Sequence, residues 1–144
     1  MRSLLLLIGA GLALLGQGCS STCEGVSDTP IAFLAGITDP TGTVYETSAW
    51  DGAYLSFPAD RTYDLHHDLR AGSPVVTTYV GFDETPLEKG TVAESAGNIV
   101  LIGPVTDEFI RVHNDTCQHF YLRVSAFVAP APPGGEGGAG GDGS

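Results

Sequence analysis

The stretch His119-Phe-Tyr-Leu-Arg-Val-Ser-Ala-Phe-Val128 constrains the fold more than any other part of the chain. Phe120, Leu122, Val124, Ala126 and Val128 alternate with His119, Tyr121, Arg123, Ser125 and Phe127. A period of two places the first set on one face of an extended strand and the second on the other. A strand with a fully apolar face is stable only in a sheet that packs against a second layer. Arg61–Leu69 alternates in the same way, with Tyr63, Leu65, His67 and Leu69 set against Thr62, Asp64, His66 and Asp68. Pro74–Phe82 is rich in Val, Thr, Tyr and Phe, residues that suit a pleated surface.

Shorter strand candidates are Ile31–Ile37, Val44–Ala49, Ala53–Phe57, Thr91–Ser95, Ile99–Ile102 and Phe109–Val112. Turn residues separate them: Asp39-Pro40-Thr41-Gly42, Asp51-Gly52, Phe57-Pro58-Ala59-Asp60 and Ala71-Gly72-Ser73-Pro74. Ala96-Gly97-Asn98 reads as a hairpin bend, and Gly103-Pro104 as a strand stop. Nine short strands within residues 30–129 predict an all-β domain, a single antiparallel β-sandwich. One methionine and no long amphipathic run argue against a helical bundle.

The two ends read differently. Residues 1–18 form an export signal, with Arg2 followed by an apolar run from Leu4 to Leu15 that is short for a bilayer span. The run ends in Gly16-Gln17-Gly18-Cys19-Ser20, which resembles the lipobox of bacterial lipoproteins. In that family the signal is cut before a cysteine, which is then acylated. Gly18 and Cys19 match the two residues flanking the cut, while the family's usual Leu at the third position before the cysteine is replaced by Gly16. The resemblance implies attachment to the cell envelope through acylated Cys19, with residues 19–29 as a lipidated linker. Ser20 after the cysteine implies the outer membrane. The alternative is ordinary signal cleavage and a free secreted or periplasmic protein. At the other end, residues 130–144 hold Gly134, Gly135, Gly137, Gly138, Gly140, Gly141 and Gly143 and no apolar side chain larger than Ala or Pro. Such a segment cannot offset its chain entropy and reads as a disordered tail.

Three cysteines are an odd count for an exported chain. If Cys19 carries lipid, Cys23 and Cys117 remain, and an even pair in an oxidising compartment reads as one disulfide. Free thiols and a metal site are the alternatives, although two widely spaced cysteines make a poor zinc site.

Seventeen acidic residues against six basic ones, a net charge of -11, exclude nucleic-acid binding through a basic patch. The sequence contains no nucleophile elbow, P-loop, dinucleotide fingerprint, HExxH or EF-hand loop. The chain therefore reads as a non-enzyme with no cofactor and no metal site. His67 falls on an apolar face and reads as a semi-buried histidine. His66, flanked by Asp64 and Asp68, reads as part of a solvated acidic face.

The residues best suited to binding are His119, Tyr121 and Arg123 in one row, with Arg111 and His113 expected opposite them on a neighbouring strand. Aromatic, guanidinium and imidazole groups together suit sugar rings or carboxylates. Trp50-Asp51 at a turn is a second candidate, because an exposed tryptophan is a frequent contact residue. The competing readings are a core position for Trp50 and a snorkelling outer face for Tyr121 and Arg123. Residues 69–128 bear a weak resemblance to H-type lectin domains, through Ser73-Pro74-Val75-Val76-Thr77-Thr78-Tyr79-Val80, Val105-Thr106-Asp107-Glu108-Phe109-Ile110-Arg111-Val112 and Tyr121-Leu122-Arg123-Val124-Ser125-Ala126. That resemblance implies a small antiparallel sandwich that binds sugars. The expected partners are a membrane, through Cys19, and a glycan or an envelope protein.

Overall fold

A computed structural model describes residues 29–95 and 97–129. The export signal, Cys19, Cys23 and the glycine-rich tail lie outside the described residues. Chain order gives β1 (Ile31–Phe33), β2 (Ile37–Thr38), β3 (Val44–Glu46), β4 (Leu55–Phe57), β5 (Thr62–His66) and β6 (Val75–Gly81). A one-turn helix α1 (Pro86–Lys89) follows, then β7 (Ala93–Glu94), β8 (Val100–Val105), β9 (Phe109–Asn114) and β10 (Phe120–Phe127). The strands form two sheets, one ordered β1-β5-β9-β8 and the other β2-β3-β10-β6-β7, with β4 also paired to β10. The protein is all-β, as the alternation requires.

β10 organises the larger sheet. Along one edge it pairs with β6 over seven residues, from Tyr121 opposite Gly81 to Phe127 opposite Val75. Along the other edge it pairs with β3 near its end and with β4 near its start. Its alternating apolar set faces inward: Leu122, Val124 and Ala126 are fully buried, and Phe120 and Val128 nearly so. They meet Tyr45 and Phe57 of the same sheet and Leu65, Ile110 and Val112 of the facing sheet in one continuous core.

Three expectations need correction. The segment Ile31–Ile37 is two strands, which makes ten in all. β1 pairs in parallel with β5 in one sheet, and β2 pairs with β3 in the other. The chain crosses between sheets at Leu34–Gly36, and Gly36 is required there because a Cβ would lie 2.3–2.6 Å from the Tyr45 ring. The β1–β5 pair also means that the sandwich is not wholly antiparallel. Finally, the turn after Ser95 is not a hairpin: β7 belongs to the β6 edge of one sheet and β8 to the β9 edge of the other. Turn residues mark where a strand ends but do not say which sheet receives the next one.

One end of the sandwich is closed by a buried amide. Asn114 is fully buried, and its Nδ2 lies 2.9–3.0 Å from the carbonyl oxygens of Phe57, Pro58 and Gln118. Its Oδ1 accepts from the Thr116 amide and hydroxyl. One side chain thus ties the end of β4, the end of β9 and the approach to β10. Asn114-Asp115-Thr116 is therefore a structural turn whose asparagine is inaccessible to modification in the folded domain. Replacing Asn114 with Ala leaves several buried carbonyls without a donor, and the expected loss is about 2–3 kcal/mol of unfolding free energy. Urea denaturation of the two proteins measures it; a loss below about 0.5 kcal/mol, the range of neutral surface changes, contradicts this role.

Candidate functional site

The outer face of the larger sheet carries two aromatic groups, and both are set by β10. Between β3 and β4 the chain leaves the edge of β10 and arches over its outer face. The Thr47 amide donates to the Val124 carbonyl at 3.0 Å, and the Thr47 hydroxyl accepts from the Val124 amide at 2.9 Å, so the arch is anchored where it departs. It returns through Tyr54, whose hydroxyl donates to the Trp50 carbonyl and whose amide donates to the Glu84 carbonyl.

Arg123 lies under this arch and is 5% exposed. Its Nε donates to the Ser48 carbonyl at 3.2 Å, and its Nη2 donates to the Glu46 carboxylate. Its guanidinium sits over the Trp50 ring, 4.8 Å from the centroid, and 5.8 Å from the Tyr79 centroid. A buried guanidinium needs such compensation, because leaving its charge unpaired would cost several kcal/mol. Trp50 meets Tyr79 edge to face at 4.9 Å and stays 43% exposed. Trp50 is therefore outside the core, and Asp51 beside it is exposed.

The second group stands at the start of β10. His119 and Tyr121 stack with centroids 5.1 Å apart, and Ser56 of β4 hydrogen-bonds His119 Nε2 at 3.1 Å. Tyr121 is directly opposite Ser56 on one side and Gly81 on the other, so no bulky neighbour shields its ring within the sheet.

The expected row thus divides. Tyr121 and His119 are accessible, while Arg123 is the buried support of Trp50. Arg111 and His113 do not lie opposite this row, because β9 pairs with β5 and β8 in the other sheet. The Asp115–His119 connection crosses the sandwich, so the outer faces of β9 and β10 point in opposite directions. Arg111 makes two bonds to Asp64, at 2.7 and 2.8 Å, and its guanidinium lies over the Phe109 ring. This pairing holds the Asp64 carboxyl below the ordinary carboxylate range. His113 hydrogen-bonds Thr62 and lies 3.4 Å from an Asp60 oxygen.

Sequence reasoning did not find a cleft of about 470 Å³ at the opposite end of the sandwich from Asn114, whose lining includes Thr38, His66, Asp68, Asp107 and Glu108. The local run His66-His67-Asp68 was its only signal, since three separate segments build it. His67 also borders it and is 8% exposed. Its Nδ1 accepts from the Leu69 amide at 3.2 Å, a position a catalytic base would offer to an orienting carboxylate. Among the described residues no group of His, Cys, Asp and Glu has an arrangement that could hold a metal ion. No helix of the described residues is long and apolar enough to cross a membrane.

Cys117 precedes β10, and its sulfur is not free. No family model, curated protein or solved structure matches the chain.

Trp50 is the sole tryptophan, so its emission reports on the arch. Arg123→Ala should shift that emission to the red and destabilise the domain by about 2–3 kcal/mol, through the lost hydrogen bonds and packing of the buried guanidinium and a collapsed support for the indole. Unchanged emission would show that Arg123 does not position the indole. Burial pushes the His67 pKa below its ordinary value. The unfolded chain therefore takes up the proton first, and stability should decline as pH falls through and below about 6.5. Urea midpoints across that range should fall in the parent and fall less in His67→Gln; equal slopes would contradict the assignment.

Proposed function

We propose that this protein is an exported, lipid-anchored lipoprotein whose β-sandwich is a non-enzymatic adhesion module that binds carbohydrate. The observation that carries the reading is the pair of rigidly held, partly exposed aromatic groups on one sheet face, Trp50 with Tyr79 and His119 with Tyr121. Fixed aromatic rings stack on the apolar faces of sugars at little entropic cost, and the imidazole, phenol and serine groups around Tyr121 supply hydrogen bonds to hydroxyls. Buried Arg123, paired with the half-exposed Glu46, keeps the indole in place, and the pair carries no net charge to the surface, which suits a neutral ligand better than an acidic one.

Anchoring rests on the sequence at Gly18-Cys19, with the outer membrane as the expected site through Ser20. Cys23 is the partner we assign to Cys117. β1 enters the fold with Ile31 opposite Tyr63, and the nearby Asp60 amide donates to the Thr116 carbonyl. The chain therefore enters the sandwich at the end that holds Cys117, eight residues after Cys23.

A protein partner is the second reading. On the same outer face Phe127 lies between Val44 and Val75, and the three are 46%, 38% and 52% exposed. An apolar row of this kind suits an envelope protein rather than a sugar.

A glycan array probed with the Cys19→Ser protein, beside Trp50→Ala and Tyr121→Ala versions, tests the leading reading. Specific binding that falls at least about tenfold in either variant, roughly 1.4 kcal/mol, is expected. Silence across the array, or binding indifferent to both substitutions, favours the protein partner. Cys19→Ser should also leave the membrane fraction, and alkylation without reductant should spare Cys23 and Cys117.

A further inference from the structure

We infer that the Cys117 end of the sandwich rests against the membrane, with Phe82 and Leu87 as its contacts with the lipid headgroups. The inference rests on the Cys19 anchor and the Cys23–Cys117 bridge proposed above. Cys19 and Cys23 are four residues apart. A fully extended chain of that length spans at most about 14 Å. A disulfide adds about 6 Å between α-carbons. Cys117 is thus held within about 20 Å of the acylated residue. From Phe120 to Phe127, β10 alone runs about 24 Å, and loops extend the domain at both ends. The tether is too short for the domain to turn its far end to the bilayer.

At the end so held, large apolar side chains on a connection between strands face solvent; Leu34, 74% exposed, does the same at the far end, which the tether keeps from the bilayer. Phe82 is 70% exposed, the most exposed phenylalanine among the described residues, and Leu87 is 39% exposed. Both sit on the segment that leaves β6 at this end. Phe82 rests on the ring of Phe120 at 5.5 Å, and Phe120 lies only three residues beyond Cys117. The core thus holds Phe82 outward, beside the tether. Charge allows the contact only with neutral headgroups. Lys89 offsets Asp83 at 2.6 Å, but Glu84, Glu88 and Asp115 at the same end are exposed carboxylates. A zwitterionic surface fits, and the carboxylates limit Phe82 to the interfacial layer.

In this orientation the strands stand away from the bilayer. The aromatic face of the larger sheet looks sideways and stays open, and the acidic cleft near His66 points outward.

The test uses the full lipidated chain in phosphatidylcholine vesicles that contain a brominated phosphatidylcholine. Two reporters are made in a Trp50→Phe background: Phe82→Trp at the Cys117 end and Asp107→Trp at the far end. Co-flotation with the vesicles reads anchoring, and bromine quenching reads orientation. Flotation of both proteins, with quenching at 82 several-fold that at 107, is the expected result. Flotation with equal quenching at the two positions, stronger quenching at 107, or none at either overturns the orientation and leaves the anchor standing. Failure of both to float overturns the anchor, and this inference with it.

Discussion

β10 is buried along its inner face and covered at Arg123 on its outer one, and most of the molecule follows from that. Its inward side supplies Phe120, Leu122, Val124 and Ala126 to the core. Its outward side would expose Arg123 to water, but the arch between β3 and β4 closes over it. The arch in turn fixes Trp50, and through Trp50 the shape of the aromatic face. A change in β10 therefore has different consequences by position. Even-numbered positions bear on stability through cavity formation. Odd-numbered ones bear on the outer face that the functional reading uses.

Much of this was legible in the sequence, and the limits are physical. Period-two alternation identified β10, β5 and the inward position of Leu65 and His67, because facing is a local property of an extended chain. The Asp39-Pro40-Thr41-Gly42 turn was legible for a similar reason: Asp39 accepts from the Thr43 and Val44 amides, and Gly42 adopts a φ of 65°. Sheet membership was not legible. Nothing local in Ile31–Ile37 says that its halves belong to different sheets, since that division depends on Gly36 meeting a Tyr45 ring nine residues away. The candidate site suffered from the same limit. Tyr121, His119 and Arg123 were found as a row, but the burial of Arg123 comes from an arch 69 to 76 residues earlier in the chain. Arg111 was placed beside them because β9 precedes β10, yet the intervening connection changes sheets.

The two ends of the sandwich have different chemistry. The Cys117 end is closed by the Asn114 hydrogen bonds and bears Phe82 and Leu87. The far end gathers Asp68, Asp107 and Glu108 around a histidine pair. The aromatic face runs between them on the flank of the larger sheet. A lipid tether at the first end would present that flank to whatever lies beside the protein in the envelope, which is the placement an adhesion module requires. The acidic surplus over the whole chain keeps such a module off anionic surfaces and leaves recognition to stacking and hydrogen bonding.

Sugar binding at the aromatic face is read most directly from the emission of Trp50 while a glycan is titrated into the Cys19→Ser protein. A saturable change in intensity or wavelength is expected at the concentration where binding occurs, because the sugar covers an indole that Arg123 and Tyr79 hold at the surface. A glycan that binds while Trp50 emission stays constant, and that binds as tightly when Tyr121 is replaced with Ala, would place recognition away from this face and rule out the aromatic site.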